Sequence, residues 1–199
     1  VKPRLLDLYA GPGGAARGYQ QAGFHVVGVD HRPMPNYAGD EFVLADALTF
    51  PLEGFDAIHA SPPCQHYANV TAWRGDPADH PDLLPPTRAK LLAEAAVPWV
   101  IENLPEAPVR RDYLLCGSMF GLAVRRHRAF ETSWRGFSLL PPCHHHAGVL
   151  PFMHKGERAY ADAMGCTWMT KEEARDAIPP AYTRHVGEAM MAQLGQAVA

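Results

Sequence analysis

Five short apolar runs, at residues 4–9, 25–30, 41–45, 55–60 and 97–101, limit what this chain can fold into more than any other feature. Each is five or six residues long, the length of a strand rather than a helix. A helix pattern over 13–22 follows the first run and stops at Gly23. Another, over 87–96, precedes the fifth. Strands alternating with helices imply an α/β fold with a mostly parallel, doubly wound sheet. Residues 124–132 read as a later strand. Thr170 and Glu173 have capping-box spacing, and a final helix over about 181–197 follows Ile178-Pro179-Pro180. Residues 64–86 are rich in Pro, Asp and His without a period. They read as a long mobile loop, which in a compact domain usually carries function.

The 199 residues suffice for one domain with a buried core, so 1–199 is expected to be a single domain. Residues 134–154 have an irregular pattern, and 133–162 is read as a short insertion on that domain. With 47% hydrophobic and 20% charged residues, the composition is that of a globular protein. The net charge of -3 gives no overall positive field for nucleic acid. One local exception holds Arg110, Arg111, Arg125, Arg126, Arg128 and Arg135. It is either a phosphate-facing strip or a solvated surface with scattered ion pairs. Cysteines at 64, 116, 143 and 166 lack CxxC spacing, so a reducing cytoplasm is expected. No apolar run approaches the roughly 20 residues of a membrane helix. No signal peptide and no obligate protein partner are evident.

Ala10-Gly11-Pro12-Gly13-Gly14 joins the first strand to the first helix. Glycine permits positive φ and close approach of a ligand, and a helix N-terminus offers free N–H groups. Asp30 ends the second strand, where an acid can accept from ribose hydroxyls, and Asp46 follows the third. The turn fits a nicotinamide cofactor, S-adenosylmethionine or a purely structural bend.

Ser61-Pro62-Pro63-Cys64-Gln65 follows the fourth run. Proline cannot extend a ladder, so the strand ends there and the thiol is held in a defined direction. That arrangement reads as a presented nucleophile. Hydride transfer to nicotinamide has no need of it.

At this point the chain resembles the DNA (cytosine-5) methyltransferases. Their D-x-F-A-G-x-G-G motif stands here as Asp7-Leu8-Tyr9-Ala10-Gly11-Pro12-Gly13-Gly14. P-C-Q stands as Pro63-Cys64-Gln65, E-N-V as Glu102-Asn103-Leu104, and Q-x-R-x-R as Val124-Arg125-Arg126-His127-Arg128 with Val for Gln. Order and approximate spacing match over residues 4–130. The family's G-N-S/A motif is replaced by Ile178-Pro179-Pro180-Ala181-Tyr182-Thr183, an ending similar to small phage-encoded members. The target-recognition region is reduced to 133–162, which leaves the length and stringency of the target open.

The resemblance implies a Rossmann-like fold, S-adenosylmethionine as cofactor, and duplex DNA as partner. It implies methylation of cytosine C5 through a Cys64–C6 adduct on a flipped-out base. Glu102 would hold N3 and the exocyclic amine, and Arg128 the carbonyl at C2. Arg126 would place the cysteine loop or a phosphate, and Asn103 would pin the proline loop. Tyr9, Ala10, Gly11, Gly13, Gly14 and Pro63 would line the cofactor, with Asp30 on the ribose and Asp46 on the adenine amine. Trp73 and Arg74 are candidates to touch DNA, although a tryptophan there can equally fold onto the core. The alternatives are an RNA cytosine-5 methyltransferase, an enzyme acting on free nucleotides, and a catalytically silent DNA-binding relative.

Cys143-His144-His145-His146 invites a metal reading. Adjacent residues point in different directions, however, and no second pair has finger-like spacing. No metal ligand is therefore assigned, although Cys116, Cys143 and the histidines can still meet in space. The cluster and Lys155 are read as a polar DNA-facing loop. Cys116 and Cys166 are read as small buried hydrophobes, and Met164, Met169, Met190 and Met191 as core.

Overall fold

A computed structural model describes residues 1–136, 138–146, 150–151 and 158–197. In chain order the elements are β1 (Arg4–Leu8), α1 (Gly14–Gln21), β2 (His25–Asp30), β3 (Glu41–Leu44), β4 (Ala57–Ala60), α2 (Asn69–Arg74), α3 (Leu84–Glu94) and β5 (Trp99–Asn103). There follow β6 (Tyr113–Leu115), β7 (Val124–Arg125), β8 (Arg128–Thr132), β9 (Leu150–Pro151), α4 (Arg158–Ala163), α5 (Lys171–Asp176) and α6 (Pro180–Ala197). The main sheet has seven strands in the order β3-β2-β1-β4-β5-β8-β6. β1 to β5 run parallel, and β8 is antiparallel to both β5 and β6.

Side chains alternate across a strand, so β1 serves both faces. Leu5 joins Val26, Ala57 and Val100 beneath α1 and α6, against Tyr19, Tyr182 and Val186. Leu6 and Leu8 join Val29, Ile58 and Ile101 on the other face, against Leu84 and Leu91 of α3. A third cluster packs Val124 against Tyr160, Met164, Cys166 and Met169. Cys166, Met164, Met169 and Met190 are buried as expected, while Met191 is partly buried. Among the described residues no helix is long and apolar enough to cross a membrane.

Three local expectations need correction. Residues 64–86 are not an unstructured loop: they hold 3₁₀ turns at Gln65–Tyr67 and Pro77–Asp79, helix α2, and the start of α3. The Asp76 carboxylate accepts from Ala78 N, and Tyr67 Oη donates to Asp82 at 2.5 Å. Such turns close through local capping and carry no apolar period to read. The strand expected over 124–132 is two strands, broken at Arg126-His127. There the Arg126 side chain turns inward to Tyr160 Oη and the Arg175 carbonyl. Finally, the short strand β9 falls within the stretch 134–154 that was expected to be irregular. Lys155 lies outside the described residues.

Candidate functional site

The strand order reverses direction at β1 and β4. In open α/β sheets the crevice at the carboxyl ends of such neighbours collects ligands. Counting by twos along each strand carries Asp30, Asp7, Glu102 and Arg128 to one sheet face, on β2, β1, β5 and β8. Together with Ser61, just past β4, they line a single cleft there.

The glycine turn forms one wall. Tyr9, with φ 60, is the only non-glycine residue at positive φ among the described residues. Its hydroxyl bonds Thr87 Oγ1 at 2.8 Å. Such backbone persists where the surroundings over-determine it, often at a ligand site. Gly11 has φ 50, and a Cβ there would meet nothing within 4 Å, so its bare face looks into open space. Asp30 is 6% exposed and accepts from Gly11 N and Arg32 N, both at 3.0 Å. Trp168 Nε1 donates to Pro12 O at 3.1 Å and ties the turn to the C-terminal segment.

The cysteine loop forms the opposite wall. Pro63 and Cys64 line the cleft. Asn103 Nδ2 donates to Pro62 O at 2.9 Å from the end of β5. Arg128 Nε lies 2.8 Å from Glu102 Oε1, out of hydrogen-bond alignment, so that oxygen keeps its accepting capacity. Behind Glu102 a buried chain continues. Tyr19 Oη stands 2.9 Å from His59 Nδ1, His59 Nε2 stands 2.6 Å from Ser61 Oγ, and Ser61 reaches Glu102. One assignment uses every donor, with Tyr19 donating to Nδ1, Nε2–H to Ser61, and Ser61 to the carboxyl. Burial pushes His59 down to about 3, so its imidazole is neutral and relays orientation rather than charge.

The electrostatics follow from burial. Both Asp7 oxygens are buried without a hydrogen-bond partner. Burial, then Asp30, then Glu102 hold this carboxyl well above the usual range. Glu102 is also raised by burial, against the opposing pull of Arg128, Arg126 and the Ser61 hydrogen bond. Burial pushes the Cys64 thiol up; Arg128 and Arg126 draw it down, and Glu102 and Asp176 push it further up. The resting cleft therefore holds a thiol and carboxyl groups biased towards their neutral forms.

Not every sequence-predicted residue reaches the cleft. Tyr9, Ala10, Gly11, Gly14, Asp30, Pro63, Cys64, Glu102 and Arg128 line it, whereas Gly13, Asp46, Asn103 and Arg126 do not. Gly13, with φ 84, sits behind the turn, where a Cβ would lie 2.7 Å from Ala38 N. Asp46 is exposed and caps its own turn by accepting from Leu48 N. Arg126 is 1% exposed, which denies it a polymer's phosphate but leaves it to position its surroundings. The arginine strip is mostly consumed by protein. Arg110 pairs with Asp112 and Glu131, Arg111 donates to Pro105 O, and Arg128 faces Glu102. Arg125 and Arg135 remain exposed. Trp73, 87% exposed, does not fold onto the core. Asp7, Ser61 and His59 were missed as site residues. Asp7 and His59 sat in apolar runs as isolated polar residues at inward positions, and that was the available signal.

No protein-family model matches the chain, and no curated protein matches it. Among solved structures it is similar to the S. pombe Dnmt2 methyltransferase, at 12% identity and TM-score 0.64, over 98% of this chain and 99% of that one. It is also similar to an E. coli prophage-encoded DNA modification methyltransferase, at 19% identity and TM-score 0.49, over 64% of this chain and 45% of that chain. A Spodoptera frugiperda DNMT2 variant matches at 21% identity and TM-score 0.46, over 77% of this chain and 56% of that chain. This chain thus spans about half the length of those last two. At such identities the likeness speaks to architecture, and with the sheet order it establishes that the chain has the Rossmann-like fold of the S-adenosylmethionine-dependent methyltransferases.

Proposed function

We propose that the chain transfers a methyl group from S-adenosylmethionine to C5 of cytosine in duplex DNA. The observation that carries this reading is the meeting of Cys64, Glu102 and Arg128 with an acidic glycine turn in one cleft.

The turn fits a cationic cofactor. Asp30 and Glu102 lie close enough to Asp7 to hold its carboxyl protonated, an unfavourable setting for a pyrophosphate. A sulfonium carrying an amino-acid group offers positive charge to the partnerless Asp7 carboxylate, and Gly11 leaves room beside it. When bound, S-adenosylmethionine supplies an electrophilic methyl group. In the folded chain the Asp7 carboxyl favours its neutral form, so the stability it contributes is lost as pH rises through its raised pKa. Asp7→Asn should therefore raise the Tm of the free protein at pH 8. It should also weaken S-adenosylmethionine binding by about 10–100-fold, the scale of a lost charged hydrogen bond. Unchanged affinity in calorimetry would remove Asp7 from the cofactor site.

On the substrate side, Cys64 Sγ adds to C6 and makes the ring enamine-like, so C5 becomes nucleophilic. Protonated Glu102 donates to N3 and offsets charge on the ring, and Arg128 contacts the C2 carbonyl. After transfer the C5 proton passes to water, its electron pair forms the C5–C6 double bond, and the Sγ–C6 bond breaks to release the Cys64 thiolate. Asn103 and Arg126 position the cysteine loop and the arginine turn. A base in a duplex must be flipped to reach this cleft. Trp73 and Arg74, exposed on α2, would contact the opened DNA. Incubating the purified chain with unmodified duplex DNA and S-adenosylmethionine, read by single-base bisulfite sequencing, should show methylated cytosines in one short shared context. Methylation of RNA alone, or none despite cofactor binding, would overturn the DNA assignment.

A further inference from the structure

We propose that Cys116, His127, Cys143 and His145 form a tetrahedral zinc site that staples the 138–146 segment to the sheet edge. Their four ligand atoms lie within 4.8 Å of one another. Cys116 Sγ is 3.3 Å from His145 Nε2, and Cys143 Sγ is 3.6 Å from His127 Nε2. Zinc–sulfur bonds of about 2.3 Å and zinc–nitrogen bonds of about 2.0–2.1 Å give tetrahedral edges of about 3.3–3.8 Å. Both separations fall in that range. The two imidazole rings meet edge to face, 84° apart with centroids 5.0 Å apart, so their nitrogens converge without stacking. Two thiolates and two imidazoles form a neutral set with zinc and leave no open position, the mark of a structural rather than catalytic centre.

The ligands come from three separate places. Cys116 follows β6 and is fully buried. His127 stands in the turn between β7 and β8, between Arg126 and Arg128. Cys143 and His145 belong to the segment read from sequence as a polar DNA-facing loop. Ser118 supports the set from outside: its Oγ is 3.8 Å from Cys116 Sγ and accepts from His144 N at 3.1 Å. Two residues adjoining His127 thus share its anchorage. One faces Glu102 and the other holds α4 through Tyr160.

The test uses the full chain, reduced and metal-free, titrated with Co²⁺ alone as the probe. The expected result is one cobalt per chain, with thiolate-to-cobalt charge-transfer absorption and the intense ligand-field bands of a tetrahedral ion, displaced by zinc. Cys143→Ser should lower the charge-transfer intensity and weaken binding by more than the roughly 10–100-fold lost with an outer-shell partner. Cys166→Ala, a buried thiol outside the set, should leave the spectrum unchanged. A pale octahedral spectrum, no stoichiometric binding, equal losses in both variants, or a Cys116–Cys143 disulfide in the protein as isolated would each overturn the proposal. If Cys143→Ser does not fold, the wild-type cobalt spectrum decides alone. None of these readouts depends on methyl transfer.

Discussion

Cys64→Ser will bind S-adenosylmethionine as the parent chain does and will methylate no cytosine. Serine preserves the size of the side chain and the loop that Asn103 holds through Pro62, so the cofactor wall is undisturbed. What disappears is a soft nucleophile able to add to C6. Loss of a covalent nucleophile costs on the order of 10⁴-fold or more in kcat. A duplex bearing 5-fluorocytosine gives a second reading. The fluorine cannot leave as the C5 proton does, so the Sγ–C6 bond persists once methyl transfer has occurred. The parent chain should therefore form a denaturation-resistant complex with that DNA, and Cys64→Ser none. Full activity in the serine variant would remove the covalent mechanism.

Glu102→Gln will lower kcat by about 10²–10⁴-fold, the usual share of a positioned proton donor, with cofactor affinity unchanged. Equal losses in rate and binding would make Glu102 structural. The pH profile carries a sharper form of the same prediction. Glu102 titrates above its ordinary 4.5 and Cys64 above its ordinary 9.0, and the reacting state pairs the protonated acid with the thiolate. Below the Glu102 pKa the rate climbs about tenfold per pH unit with the thiolate fraction. Between the two values, gain of thiolate offsets loss of protonated acid and the rate levels. Above the Cys64 pKa only the loss remains, and the rate falls. The parent profile should therefore rise, flatten and fall. In Glu102→Gln the amide no longer titrates, so the rate should climb with pH until the thiol is ionised and show no alkaline decline. An unchanged profile in that variant would exclude Glu102 as the proton donor.

The residues differ in how far they could be read in advance. β2 carried its full signal locally, in a short apolar run between Gly23 and the acid at Asp30, and its observed bounds equal those expected. The α5 cap was equally local: Thr170 Oγ1 accepts from Glu173 N, and the Glu173 carboxylate accepts from Thr170 N. Cys64 and the glycine turn were legible because proline and glycine restrict the backbone at their own positions. Arg126 was not. Its sequence neighbours suggested a basic strip, yet its partners are Tyr160 and Arg175, which lie far along the chain. Asp46 lies outside the cleft lining for a related reason: position after a strand does not fix side-chain direction, and its carboxylate accepts from its own backbone turn.

The sequence by itself determined the alternation of strands and helices, and hence a parallel α/β sheet. It also determined the stiff loop that presents Cys64. These follow from interactions within a few residues, where dihedral restriction and hydrophobic period act. Only the tertiary structure decided which polar groups share the cleft, which arginines are already occupied, and that two cysteines and two histidines from three separate segments converge. Those outcomes depend on strand order, register and helix docking. Each brings together residues whose separation along the chain leaves no local pattern.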